Sequence, residues 1–478
     1  MLNRILTLSR PTPASVRSVP HPLPWADLGS LPRPLTHDVI QFSGTPLTPQ
    51  PTPLLAPLKS LKRNETAFLT PHMLNQSPEA QKRGFKAVFV MNPSLVPDGQ
   101  GGYHMLFKAG AEKPTATQIR WFHEHVAYPG RSNGFRNPTT DDFAAWYQHA
   151  DPKQVSAETL QKVKDHLAWY PTHHQSVAPE VQQALDAMSA FVGWAENKQS
   201  KPKDFPPAVF DLMTWPYEMS LWFAHSQDGN TVAPDSFKMV LDPKPWRNVF
   251  KEGWEDARIT RIDHTYNVVV IGNNDADMIR QRFGHPEKAK WKGTSYLCLY
   301  QTNHMAKPPQ RNAIWLLGPD ENDRNPSILP VRVRAQPGDR SGKGPPSGSQ
   351  DYLMVFHRLY PNVQYWFVPR FSDMTEELSP THSTGLTHFH DSNRQRFWQY
   401  QAQPKVLERH TLLKPLPGNA WEGNHVSLSQ APIQLPNGYT DDAGWLAIYH
   451  GRDKQGVYRV GAALLDRNRP WIVTHRLP

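Results

Sequence analysis

The chain has one cysteine, Cys298, in 478 residues, so it cannot form an intramolecular disulfide. No run of about 18 apolar residues occurs, which excludes a membrane-spanning helix. The N-terminal stretch lacks a continuous apolar segment of the secretory type, and a cytoplasmic protein is the expectation. Arg4, Arg10 and Arg17 precede the first acid, a pattern with a faint organelle-targeting flavour, but the prolines among them oppose the amphipathic helix such signals need. There is no phosphate-cradling Gly loop of the Walker type and no Gly-x-Ser-x-Gly elbow. Long Lys/Arg runs, Cys/His fingers and basic heptads are also missing, which argues against nucleic acid as a partner.

What the chain does have is proline, histidine and aromatic rings: 48 Pro, 22 His, 16 Trp, 15 Tyr and 20 Phe. Such rings fill sheet cores and also stack on sugar faces. A formal net charge of +9 attracts anions, phosphate and anionic sugars among them. Proline crowds residues 1 to about 60, which are expected to form an extended arm that wraps the domain or mediates assembly. Beyond residue 85, apolar residues at alternate positions follow turn signals: Tyr103, Met105, Phe107; Tyr266, Val268, Val270; Tyr352, Met354, Phe356; Trp445, Ala447, Tyr449. Period two means strands. From Tyr266 to Tyr352 is 86 residues and from Tyr352 to Trp445 is 93, each close to two propeller blades of roughly 40 to 50 residues. Residues 112–205 break this rhythm. Leu160, Val163 and Leu167, then Val181, Leu185, Met188 and Val192, recur on helical faces and predict a helical insertion. Residues 332–350 are basic and low in complexity, as a surface loop is.

Two histidine pairings invite a metal and are not expected to hold one. His123-Glu124-His125 and His388-Phe389-His390 place imidazoles at alternate positions, which suits a metal only if further ligands converge.

The densest chemistry lies at Gly253-Trp-Glu-Asp-Ala-Arg-Ile-Thr260, where Glu255 and Asp256 stand just before Arg258 and ahead of the apolar strand Asn267–Ile271. Further signatures lie at strand ends: Asn92-Pro93-Ser94, His357-Arg358, Tyr449-His450-Gly451 and Tyr458–Asp466. This ordered series resembles family 130 of the glycoside hydrolases, the five-bladed β-propellers that include β-mannoside phosphorylases and some β-mannosidases. The resemblance covers roughly residues 85–111 and 218–478. It implies an all-β chain: a Pro-rich N-terminal extension at 1–84, the first part of the propeller at 85–111, the helical insertion in the first blade at 112–205, and the remainder of the catalytic domain at 206–478.

The resemblance also implies roles. Asp256 becomes the general acid that protonates the departing glycosidic oxygen, and Arg258 holds the sugar or fixes the acid. Asn92, Lys108, Glu255 and Tyr458 fall at sugar-binding positions. Arg358 and His450 become the phosphate pocket, an Arg fork plus an imidazole donor titrating near neutral pH. Inorganic phosphate is then a co-substrate; no cofactor or metal is expected. The chain departs from the family pattern where Trp421-Glu422-Gly423-Asn424-His425 lacks an expected Lys, with His425 as its substitute, where Arg324-Asn325 replaces Lys-Asp, and where Lys108 replaces Arg. Two alternatives stay open. One is an inverting β-mannosidase with Glu422 as base; the other is a carbohydrate-binding propeller without catalysis. The insertion is expected to serve as a lid or an oligomer contact.

Overall fold

The computed structural model describes residues 67–127, 151–201, 204–247, 250, 252–262, 265–273, 295–307, 314–317, 324–333, 350–359, 361–368, 375–378, 410–416, 420–435 and 443–477. Residues 1–66, most of the basic stretch 332–350, and His388 and His390 lie outside them.

The described chain is mostly β and builds four antiparallel meanders. The first comprises β1 (Ala87–Pro97), β2 (Tyr103–Glu112), β3 (Tyr217–Ser226) and β4 (Lys238–Leu241). The second comprises β5 (Gly253–Ile262), β6 (Thr265–Asn273), β7 (Ser295–Thr302) and β8 (Ile314–Leu317). In the third, β9 (Arg324–Val333), β10 (Gln350–Leu359) and β11 (Asn362–Val368) pair in turn; β12 (Thr375–Leu378) returns to β8, and β13 (His410–Leu413) adds to β11. The fourth contains β14 (His425–Leu428), β15 (Ile433–Gln434), β16 (Ala443–Arg452), β17 (Tyr458–Asp466) and β18 (Val473–Leu477). A parallel bridge, Met219↔Gly253, joins the first two meanders. Glycine is required there: φ is +84°, and a Cβ would sit 2.0 Å from the Met219 carbonyl oxygen.

Alternation explains how the meanders stack. On β6, Tyr266, Val268 and Val270 face a core shared with Leu106, Leu221 and Phe223 of the first sheet, while Val269 and Ile271 face Ile328, Val355 and Trp366 of the third. On the third sheet, Leu329, Met354 and Phe356 meet Val426, Ala447 and Tyr449 of the fourth. The second and third sheets are thus buried on both faces by their chain neighbours. The leading strands touch in order, β1 with β5, β5 with β9, and β9 with β14. Hydrogen bonds tie them: Ile259 N–H donates to Ser94 Oγ (3.2 Å), Thr260 Oγ1 to the Ile328 carbonyl (2.9 Å), and Asn325 Nδ2 to Ser427 Oγ (2.8 Å).

Helices fill two places. Before β1, α1 (Pro71–Asn75) and α2 (Pro78–Arg83) start at Thr70 and Ser77, whose hydroxyls cap Met73 N–H and Ala80 N–H, with proline in the first turn. Leu74 and Ala80 are fully buried against Met105, Phe107 and Trp222, so this end of the expected N-terminal extension packs into the first sheet's outer core. Between β2 and β3, α3 (Ala116–Phe122), α4 (Ala157–His173) and α5 (Pro179–Glu196) enclose their own apolar core, including Val163, Leu185, Met188 and Phe191. His123 to Ala127 form a π-helical turn in which His123 is buried and His125 Nδ1 contacts the Trp121 carbonyl. Among the described residues, no group of three His, Cys, Asp or Glu side chains could hold a metal, and no helix is long and apolar enough to cross a membrane.

Candidate active site

Three non-glycine residues among those described have positive φ: Asn92 (+54°), Asp256 (+50°) and Asn325 (+49°). They occupy β1, β5 and β9, three leading strands in succession. The β1 ladder shifts register between Met91 and Ser94, and the β5 ladder between Glu255 and Arg258. A third shift, between Phe356 and Arg358, lies where β10 meets the start of β9. A bulge adds a residue and re-aims its side chain. Left-handed backbone costs roughly 1–2 kcal/mol for an L-residue, least for Asn and Asp, which is why these types stand there.

The side chains so aimed converge. Asp256 is 5% exposed, and Asn92, itself exposed, donates a hydrogen bond from Nδ2 to Asp256 Oδ1. Lys108 Nζ lies 3.1 Å from Glu255 Oε2 and 4.0 Å from Asp256 Oδ1. Lys108 and Glu255 are both buried, so their charges compensate each other within the protein. Arg258 donates from Nη2 to Asn325 Oδ1 (3.0 Å) and from Nη1 to the Ala257 carbonyl (2.8 Å). Its Nε has no hydrogen bond among the described residues. Burial lowers the Arg258 pKa from its ordinary value, and Asp256 opposes that shift.

A second group lies on β10, β14 and β16. Arg358 Nη1 sits 3.1 Å from His425 Nε2. The rings of His425 and His450 are 6.4 Å apart, and Tyr458 lies 5.9 Å and 5.6 Å from them. Burial first, then the positive charge of Arg358, pushes His425 down to about 3. His450 is also pushed down to about 3, by burial and then by Arg258 and Arg358, with Asp256 opposing. Arg258 bonds Asn325, Asn325 bonds Ser427, and Ser427 is the ladder partner of His450, so the two clusters form one site. One expectation changes. The imidazoles do not titrate near neutral pH, so the cationic charge here comes from arginine, and each neutral ring offers one N–H.

Glu422 is the base expected for the hydrolytic alternative. It is 0% exposed, and its carboxylate accepts from Tyr449 OH (2.9 Å), Leu416 N–H (2.9 Å) and Arg476 Nη2 (2.8 Å). A fully buried carboxylate with three such partners ties separate elements together. The sequence reading noted Asn325 only as a departure from the family pattern and gave Ser427 no role. The available signal was repetition, because Asn-Pro-Ser at 92–94 recurs at 325–327.

A mostly-β fold with a buried carboxyl group, an arginine pair and two neutral imidazoles defines a site for polar, anionic chemistry. No family model matches the chain. It is 26% identical over 257 residues to a 1,2-beta-oligomannan phosphorylase of Thermoanaerobacter sp. (strain X514), covering 53% of this chain and 60% of that one. It is 22% identical over 256 residues to a beta-1,2-mannobiose phosphorylase of the same organism, covering 52% and 58%. The chain thus spans about three fifths of the length of these curated relatives. Among solved structures it is similar to the beta-1,2-mannobiose phosphorylase from Listeria innocua in complex with beta-1,2-mannobiose, with a TM-score of 0.42 and 16% identity over 87% of this chain and 81% of that one. The chain resembles the β-mannoside phosphorylases of family 130.

Proposed function

We propose that this protein is an inverting glycoside phosphorylase that transfers mannose from a β-mannoside to inorganic phosphate, giving α-mannose 1-phosphate. The observation that carries the reading is the run of contacts that gathers the two groups: Asp256 with Asn92 and Lys108, Arg258 with Asn325, Asn325 with Ser427, and Ser427 paired with His450 next to Arg358 and His425. Asp256 protonates the departing oxygen, which would otherwise leave as a poor alkoxide. Asn92 and Lys108 hold its carboxyl in place, and Glu255 neutralises the lysine. Arg258, with an undirected Nε–H, and Tyr458 bind sugar hydroxyls. Arg358 forks two phosphate oxygens while His425 and His450 add neutral donors, so that phosphate attacks the face opposite the leaving group without a second catalytic carboxylate.

On this reading the four meanders belong to a five-bladed propeller with residues 112–205 inserted in the first blade. Phosphate is a co-substrate, no cofactor is used, and the protein works in the cytoplasm on a small mannoside or an oligosaccharide. The test incubates purified protein with β-mannosides with and without phosphate. Phosphate-dependent formation of α-mannose 1-phosphate is expected. Mannose release that ignores phosphate would show a hydrolase, and binding without turnover would show a lectin-like propeller.

A further inference from the structure

We infer that Phe89 and Trp215 form a stacking platform for the sugar on the leaving-group side of the scissile bond, an inference that rests on the phosphorylase reading of the site. The β2–β3 ladder runs from Tyr103↔Ser226 to Glu112↔Tyr217 without a register shift, so Lys108, Gly110 and Glu112 project from one face. Phe89 pairs with Gly110 across β1 and β2, and its ring lies over that glycine: a Cβ at 110 would meet Phe89 Cζ at 2.2 Å. The ring therefore shares the face of Lys108, whose ammonium reaches Asp256. The two positions stand about 6.8 Å apart, twice the rise of a strand residue, which is comparable to one sugar unit.

The Phe89 ring is met by Trp215 at 5.7 Å and by Tyr217 edge-on at 5.5 Å. Tyr217 is buried, whereas Phe89 and Trp215 are half-buried. Neither of those two rings joins any apolar core of the described residues, including the neighbouring ones on both faces of the first sheet. Arg120 borders the group, 5.5 Å over the Tyr217 ring and hydrogen-bonded to exposed Glu112. Half-exposed aromatic faces with a charged pair at the edge suit the apolar face and the hydroxyls of a pyranose. Gly110 is what allows the ring to lie down against the sheet.

The platform is tested by calorimetric titration of Trp215→Ala and Gly110→Ala with β-mannobiose and, separately, with α-mannose 1-phosphate. Gly110→Ala keeps every aromatic residue and only lifts the Phe89 ring. Both variants are expected to bind the disaccharide about tenfold more weakly while holding α-mannose 1-phosphate within about twofold. Trp215→Phe is expected to restore most of the disaccharide affinity. Unchanged disaccharide affinity, or equal loss of both ligands, overturns the platform. Turnover is scored apart: a wild type that binds disaccharide through Trp215 but makes no α-mannose 1-phosphate overturns the phosphorylase reading and leaves the platform standing, and a wild type that binds neither ligand overturns both.

Discussion

Asn92 and Asp256 are 164 residues apart in sequence, yet they share a hydrogen bond and the same left-handed backbone, at φ +54° and +50°. Each stands in a bulge of a leading strand, so the same local device aims the acid and the amide that steadies it. The carboxyl oxygen that accepts from Asn92 also faces Lys108 at 4.0 Å.

Asp256→Asn is expected to fold, because asparagine tolerates positive φ as well as aspartate does. Loss of the proton donor should reduce kcat/KM for an unactivated β-mannoside by about 10²–10⁴-fold. The loss should be much smaller for an aryl mannoside, whose leaving group needs no proton. Steady-state rates on the two substrates check this, and equal losses would remove Asp256 from the acid role.

Asn92→Gly separates strain from chemistry. Glycine relieves left-handed backbone costing roughly 1–2 kcal/mol, so the melting temperature should hold or rise. Activity should fall, since the amide no longer orients Asp256. Thermal melts beside kcat/KM measurements decide the matter, and a variant that gains stability with full activity would show that the hydrogen bond is idle.

Arg358→Lys keeps charge but loses the planar fork, so KM for phosphate should rise about tenfold or more with the KM for mannoside little changed. Initial rates over a phosphate series at fixed mannoside measure this. A rise confined to the mannoside KM would move Arg358 out of the phosphate pocket.

His425 and His450 stay neutral in the fold down to about 3, against an ordinary 6.5 in an unfolded chain. Between those values the unfolded state binds more protons, so folding stability is full above about pH 6.5 and declines as pH falls toward 3. Urea midpoints from pH 8 to pH 5 should therefore decrease, and the double substitution His425→Gln, His450→Gln should flatten the decline. A slope unchanged in the double variant would assign it to other groups.

Much of this was legible in residue order. The alternation at Tyr266–Val270 announced β6 because a strand buried on both faces still needs β-branched and aromatic side chains at every inward position. The acid-Arg turn and Asn92 could be picked out because, with the other strand-end motifs, they form the ordered series that resembles family 130. Asn325 was noted only as a departure from the family pattern, since the sequence shows an amide but not that it bonds Arg258 on one side and Ser427 on the other. The surroundings of Glu422 were hidden for a related reason. Its three hydrogen-bond partners, Leu416, Tyr449 and Arg476, come from separate elements, and proximity to a motif in sequence says nothing about whether a carboxylate is already satisfied.

By itself, the order of residues determined the strand periodicity, the helical faces at 157–196, and which side chains could serve as acid, fork or donor, because these depend on the near-neighbour geometry of the backbone. Only the tertiary structure decided which of them meet. Stacking the sheets brought β1, β5, β9 and β14 side by side and set His425 and His450 near arginines, which lowers their proton affinity. Those outcomes depend on burial and on distances between residues remote in the chain, quantities that no local pattern carries.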